Sequence, residues 1–353
     1  MSLGFGIVGH GFMGHQHEAE LKDFDGIQLI GICDKDPGKL KDVQEGILCY
    51  SSAQEMFKNP EIQVVVIAAN NNQHKQLVID AARAGKDIIC EKPAALYVAD
   101  LDEMVQEVEK CGRKFTVHQQ RRYDKDFRTA KEVYDSKTLG SIYTIKSSLY
   151  GCNGNVQDWH AFLSEGGGML YDWGVHLLDQ ILWMVDGKVT SVYATVKNVV
   201  NQEVDDYFDI FLKFENGIGA EIELGTYYLS DKENWFERHW FLGGNKGSAY
   251  IDGFDAKGKI VRTVPARTGA LGYRQAVGAA VPVHAFGPIA ANALMTEELP
   301  QVYTSHRDFY ENYLRAYYGQ EDFMVRVPET RRVLRLMDAV RESARSGMSV
   351  QFE

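Results

Sequence analysis

Short apolar runs separated by segments of helical period fill the first third of the chain. Leu3 to Val8, Ile27 to Cys33, Val64 to Ala69, Lys86 to Cys90 and Phe115 to His118 read as strands. The Val64 run is apolar throughout, as expected of a parallel strand covered on both faces. Between the strands the pattern predicts a helix after Gly14, helices over Pro37–Glu45 and Ser51–Lys58, and helices over His74–Ala84 and Val98–Cys111. Ser51 or Ser52 is the expected N-cap of its helix. This alternation predicts an α/β domain with a doubly wound parallel sheet over residues 1–121.

From residue 122 the pattern changes. A helix over Asp126–Asp135 and a strand over Ser141–Tyr150 come first. Strands over Val189–Val200, Tyr207–Phe214, Gly219–Leu224, Trp235–Leu242 and Ser248–Asp252 then follow without helices between them. Glu215-Asn216-Gly217 is a hairpin signal. Residues 122–353 are therefore expected to form an α+β domain with a large, mostly antiparallel open sheet. Helices over Asp308–Tyr318 and Pro328–Arg345 close the chain. Pro265 to Pro300 has no clear period and reads as a flap or an irregular excursion; Tyr273, Arg274 and His284 are its candidates for touching a ligand.

One helical stretch in this half carries both core and chemistry. After Gly166-Gly167-Gly168, the residues Leu170, Leu177, Leu178, Ile181, Leu182 and Val185 recur at the spacing of a buried face. Asp172, His176 and Asp179 or Gln180 fall one turn apart on a polar stripe. A carboxylate one turn from an imidazole can orient it and prepare a general base. The same pattern also suits a core helix with a satisfied histidine.

Composition narrows the choice of partner. With 38 Lys plus Arg against 49 Asp plus Glu, the net charge of -11 argues against nucleic acid or an anionic membrane. The five cysteines are scattered and never form Cys-x-x-Cys, so neither a disulfide framework nor a zinc knuckle is indicated. No apolar run approaches a membrane span, and no signal-peptide layout opens the sequence, so a cytoplasmic setting is expected. His15 and His17, with His10, could suggest a metal site, but His17 sits on the first helix, where a packing role is favoured, and Asp158, His160, Asp172 and His176 lack a zinc-binding spacing. No metal is expected.

The first strand runs into Gly9-His10-Gly11-Phe12-Met13-Gly14, a G-x-G-x-x-G between strand and helix. Glycines there allow a tight turn, close approach to a pyrophosphate and close helix packing. Asp34 ends the second strand about 20 residues later, where an acid would bind a ribose diol and repel a 2′-phosphate. NAD is thus favoured; the adjacent Lys35 softens that preference and leaves NADP possible. Gly9, Asp34, Asn71, Glu91, Lys92 and Gln119 all fall at predicted strand ends, where such sheets bind ligands.

Several of these segments together resemble the Gfo/Idh/MocA oxidoreductases. The similar residues are Gly6 to Gly14, Asn71-x-x-His74, Ala84-Gly85-Lys86-Asp87-Ile88-Ile89-Cys90-Glu91-Lys92-Pro93, Gln120 to Asp124, and Gly166 through Asp172 to His176. Ala69-Asn70 departs from the Thr-Pro common in that family before the asparagine. The resemblance implies cofactor contacts from Gly9, Gly11, Phe12, Met13, Gly14, Asp34, Lys35, Asn71, His74, Glu91, Lys92 and Gln119. It implies substrate contacts from Lys92, Arg122, Trp159, His160, Asp172 and His176, with Lys92, Asp172 and His176 catalytic. His160 stands where the family often has arginine. A homodimer or homotetramer built on the open sheet is implied as well.

The function expected is hydride transfer between nicotinamide and a hydroxyl-bearing carbon of a sugar, sugar derivative or cyclitol. An alternative on the same fold is NAD-assisted glycoside cleavage by transient oxidation, elimination and re-reduction. A minor alternative is a non-catalytic nucleotide sensor.

Overall fold

The computed structural model describes residues 2–151, 158–227, 237–264 and 293–353. Its first sheet contains β1 (Leu3–Val8), β2 (Ile27–Cys33), β3 (Leu48–Tyr50), β4 (Val64–Ile67), β5 (Asp87–Glu91) and β6 (Phe115–His118). All neighbours pair in parallel, in the order β3-β2-β1-β4-β5-β6. The order reverses between β1 and β4, which opens a crevice at the carboxyl ends of those strands. Every residue of β1, β4, β5 and β6 is buried, and β1 and β4 accordingly read as continuous apolar runs. The connecting helices are α1 (Phe12–Leu21), α2 (Ala53–Phe57), α3 (His74–Arg83) and α4 (Val98–Lys110).

Two local expectations change. The helix expected over Pro37–Glu45 is a single 3-10 turn, Pro37–Leu40, followed by the edge strand β3. Asp36 caps that turn by accepting from the Gly38 amide, and Gly46 at φ 96° ends any helical course. Ser52 does sit at the N-cap of α2, but its hydroxyl donates to Gln54 rather than capping the backbone.

After α5 (Lys125–Asp135) the chain builds a second sheet from nine described strands. They are β7 (Ile142–Tyr150), β8 (Val189–Lys197), β9 (Tyr207–Phe214), β10 (Gly219–Gly225), β11 (Glu237–Gly244), β12 (Gly247–Asp252), β13 (Lys257–Thr263), β14 (Leu294–Glu297) and β15 (Val350–Gln351). The order is β14-β13-β12-β11-β7-β10-β9-β8-β15, antiparallel except for a parallel β7–β10 pair at its centre. The Glu215-Asn216-Gly217 turn joins β9 to β10, with Gly217 at φ 87°. β13 and β14 escaped the hydrophobic pattern because only Ile260 among their residues is buried. Tyr273, Arg274 and His284 lie outside the described residues.

One face of this sheet is covered by α6 (Val175–Met184) and α8 (Val327–Ser346). Phe208, Ile210, Leu212 and Phe214 are buried, whereas Phe211, Tyr193, Tyr143 and Tyr250 stand exposed. The last third of the chain also returns to the first sheet. Tyr310 and Tyr313 of α7 (Arg307–Tyr317) meet Phe5 edge-on, with ring centroids 6.3 and 5.8 Å away. Thr116 of β6 donates to the Val325 carbonyl. Among the described residues no helix is long and apolar enough to cross a membrane.

Candidate active site

The crevice begins at the glycine loop. Gly9 has φ 94°, and a Cβ there would lie 2.4 Å from the Ala68 carbonyl oxygen. A Cβ on Gly14 would lie 2.1 Å from the Gly9 carbonyl oxygen, so helix and strand approach only because both residues lack one. Gly11 differs: nothing lies within 4 Å of its would-be Cβ. The fold does not need glycine at that position, but a phosphate group pressed against the backbone does. Phe12 is 77% exposed beside it, and Met13 is partly buried.

Asp34 directly follows β2 with both oxygens held by backbone amides, Oδ2 by His10 and Oδ1 by Asp36. Lys39 stands 3.9 Å from Oδ2, and the neighbouring Lys35 is exposed. An anchored carboxylate at this strand end fits a ribose diol. The loop and Asp34 are the residues that would hold NAD. Two substitutions separate their roles. Gly11→Ala should leave unfolding free energy within about 0.5 kcal/mol of the parent yet weaken NAD binding about tenfold or more. Gly14→Ala should cost stability by about 1–3 kcal/mol in urea unfolding, because backbone rather than a pliant side chain obstructs the methyl.

β5 delivers Lys92 to the crevice, followed by a cis Lys92–Pro93 peptide. The Lys92 ammonium donates to Asp172 Oδ1 at 2.7 Å and to the Asp172 backbone carbonyl at 2.9 Å. Burial works against the Asp172 carboxylate, but Lys92, and then His160, hold it below the usual aspartate range. Among the described residues two of the three ammonium donors are therefore engaged, and one is left for another oxygen.

Asp172 and His176 do not form the pair that their spacing suggests. Leu170–Gly174 is a π-helical turn, and α6 starts only at Val175. Asp205 fastens the start of this turn: its Oδ2 accepts from the Leu170 amide and its backbone carbonyl from Met169. Burial pushes the Asp205 carboxyl up to about 6. The wider turn sends Asp172 to Lys92, while His176 Nδ1 faces Gln119 Oε1 at 2.9 Å. π-turns of this kind often occur at functional sites. Burial, then the charges of Lys92 and Arg121, push His176 well below 6.5. The ring is 2% exposed and neutral near pH 7.

The remainder of the stripe has structural partners. Asp179 takes a bidentate guanidinium from Arg122, with both contacts at 2.7 Å. Gln180 donates to the Arg121 carbonyl and accepts from Arg238. Arg122 also binds Glu329 and the Met324 carbonyl and is 1% exposed. Its guanidinium is spent inside the protein, so the expected substrate contact from Arg122 is not met. Arg121 takes the open position instead. It stacks on Trp173, 3.9 Å from the ring centroid, lies 5.6 Å from the Phe254 ring, and donates to Asp124. The basic pair was visible in sequence, but not which member faces outwards. A 3-10 turn over Gln120–Tyr123 sends successive side chains about 120° apart, which divides the two.

Other expected cofactor ligands also face inwards. Glu91 Oε1 accepts from His17 at 2.9 Å and His118 at 2.7 Å, and Oε2 accepts from the Lys92 amide. Burial opposes this carboxylate, but His118 and then His17 hold it well below the ordinary range. Burial pushes His118 itself down, so we read a carboxylate that accepts from both rings. Tyr310 closes the group by bonding His17 Nδ1 at 2.6 Å. His74 bridges the Pro93 and Ala69 carbonyls, fixing the loop after Lys92 rather than reaching the crevice. His10 is locked between Glu18 and the Lys39 carbonyl.

The asparagine run ties the two halves together. Asn70 donates to Glu165 at 3.1 Å, Asn71 to the Gly166 carbonyl at 2.9 Å and Asn72 to the Ser164 carbonyl at 3.2 Å. Asn71 therefore positions the glycine-rich segment ahead of Asp172. Gly167 has the His160 carbonyl 2.1 Å from its would-be Cβ, and the Gly168 amide donates to that carbonyl. Trp159 stacks on His160 with centroids 3.7 Å apart, and His160 is near enough to favour the Asp172 anion.

A parallel sheet of this order, a glycine loop with its strand-end acid, and a lysine–aspartate–histidine group facing them define a dinucleotide-dependent oxidoreductase. The family can be stated more closely. The NAD-binding Rossmann domain of the Gfo/Idh/MocA oxidoreductase family matches residues 3–119, and the Gfo/Idh/MocA C-terminal domain matches residues 127–250. This chain belongs to the Gfo/Idh/MocA family. It is similar to an NAD-binding protein from Listeria innocua, whose crystal structure is 32% identical, with a TM-score of 0.85 over 99% of this chain and 97% of that one. The myo-inositol 2-dehydrogenase of Thermotoga maritima is 27% identical over 255 residues, 70% of this chain and 74% of that protein. The 2,7-anhydro-N-acetylneuraminate hydratase of Mediterraneibacter gnavus is 26% identical over 268 residues, 73% of this chain and 70% of that protein.

Proposed function

We propose that this NAD-dependent dehydrogenase oxidises or forms a secondary hydroxyl on a sugar, sugar derivative or cyclitol. The observation that supports it most is the ammonium of Lys92, paired to Asp172 with one donor to spare, beside a neutral His176. NAD, when bound, supplies the hydride acceptor. The spare Lys92 donor holds the reacting oxygen and favours its negative charge as the proton leaves. His176 accepts that proton. Asp172 holds Lys92 in place and offers Oδ2 to a neighbouring hydroxyl. Trp159, His160 and Arg121 line the substrate side, and the apolar faces of Trp159 and Trp173 suit a ring.

The test is NADH absorbance across a panel of sugars, inositols and their acids. Turnover of one member supports the reading; tight NAD binding with no turnover of any contradicts it. His176→Ala should lower kcat about 10²–10⁴-fold with NAD affinity kept. The pH dependence follows from the direction of its shift. A base must be neutral, and His176 is neutral above a value well under 6.5. The acid limb of kcat/KM for oxidation therefore falls below pH 6.5, and the rate does not rise between pH 6.5 and 8 on account of this group.

The similarity to a hydratase acting on an anhydro sugar favours a second reading, in which oxidation is transient and the net reaction is redox-neutral. Product formed without net NADH, by protein that keeps NAD through purification, would identify it. We also propose a cytoplasmic homodimer or homotetramer joined through the open sheet face, where Tyr143, Tyr193, Phe211 and Tyr250 are exposed. Light scattering reads the mass directly.

A further inference from the structure

We infer that Gln119 is the positioning residue for His176: its side-chain carbonyl selects the tautomer with the proton on Nδ1 and leaves Nε2 bare to take the substrate proton. This rests on the reading of His176 as the base. The expected orienting group on the same helix is Asp172, but the π-turn and Lys92 remove it from that role. Gln119 takes the place from another element, the residue directly after β6.

The geometry leaves few choices. Gln119 is 1% exposed, and its Oε1 lies 2.9 Å from His176 Nδ1. An amide oxygen only accepts, so the ring proton of that bond is on Nδ1. A neutral ring carries one such proton, and Nε2 is then a lone pair. Among the described residues the ring's hydrogen bond is made at Nδ1, which leaves Nε2 for substrate. The Gln119 amide nitrogen is buried without a partner among the described residues. A half-turn of that amide would present NH2 to Nδ1 and move the ring proton to Nε2, a tautomer that cannot accept from a hydroxyl. The tautomer of His176 thus reports the orientation of Gln119.

An amide orients the ring without the charge a carboxylate would bring. The charged and titratable groups facing the ring are Lys92 after β5, Arg121 after β6, Glu91 of β5 and His118 of β6. Trp173 adds its ring edge-on at 6.0 Å. None of them supplies an anion hydrogen-bonded to Nδ1, so the ring stays a neutral base and its imidazolium gains less from the amide oxygen than it would from a carboxylate.

The test uses the full chain labelled with [15N]histidine, saturated with NAD, with the His176 ring assigned by its loss in His176→Gln. Two-bond proton–nitrogen correlation should show His176 protonated at Nδ1 and bare at Nε2. Gln119→Leu should mix or invert the tautomers and lower kcat about tenfold with KM little changed. Gln119→Glu should raise the ring's titration midpoint by about one pH unit or more and carry the acid limb of the rate profile with it. An Nε2-protonated ring in the parent overturns the inference. So does an unchanged tautomer and midpoint in both variants. Should Gln119→Leu fail to fold, the parent spectrum and the Gln119→Glu titration decide. The spectra need no turnover, so a failure of the dehydrogenase reading and a failure of this one are told apart.

Discussion

Lys92→Met is expected to lower kcat/KM for the substrate that the panel selects about 10³-fold while NAD affinity changes less than about threefold. Methionine keeps the length and apolar body of the lysine stem but removes every donor. The loss is sized by the removal of one donor aimed at developing negative charge, about 3–4 kcal/mol of transition-state stabilisation. The structural cost should be smaller. Asp172 loses the partner that offsets its burial, but its side chain is 24% exposed, and without the lysine it can also take up a proton. Steady-state kinetics and calorimetric NAD titration on the same preparation separate the two effects. A parallel loss of NAD affinity would mean that Lys92 acts through the cofactor and not on the substrate oxygen.

Arg122→Met is expected to destabilise the fold by about 3–5 kcal/mol, the range for stranding a buried charge. Arg122 is 1% exposed and its partner Asp179 is 2% exposed, so neither can exchange its ion pair for water. Burial opposes the guanidinium charge, but Asp179 and then Glu329 outweigh it and raise its affinity for the proton. The double substitution Arg122→Met with Asp179→Leu should recover most of that loss, since an apolar pair replaces the two most buried charges while Glu329, 22% exposed, keeps Arg326 as a partner. Urea midpoints for the four proteins of this cycle provide the check. A small effect of Arg122→Met alone would restore Arg122 as a ligand-facing residue.

The first sheet was legible because its code is local. Buried parallel strands are continuous apolar runs, and the glycine loop and Asp34 stand at fixed distances from them. Lys92 was legible through its neighbours in sequence. The polar stripe was half legible: period identified Asp172 and His176 as polar positions on a core helix, but not where each would turn. That depends on the π-turn, which Asp205 fixes from 35 residues away, and on Gln119, 57 residues away. Neither leaves a mark in the 3.6-residue pattern. The same limit explains the exchange of Arg121 for Arg122, and the inward turn of Glu91, His74 and Asn71. Sequence shows which side chains sit at strand ends, whereas long-range partners decide which of them the fold consumes. The edge strands β13 and β14 were missed for a simpler reason, since strands with few buried residues carry little alternation.

Lys92, Asp172 and His176 are proposed to serve hydride transfer from a ring carbon bearing a hydroxyl. The most direct measurement starts from the polyol that the panel selects, deuterated at the carbons that carry its hydroxyls. Parent protein, Lys92→Met and His176→Ala are each given that polyol and NAD, and the reduced cofactor is weighed by mass spectrometry. Deuterium is expected in the cofactor with the parent, and its rate of transfer should fall at least a hundredfold with either variant. Deuterium transfer at parental rates in both variants, or turnover with no deuterium in the cofactor at any stage, would contradict it.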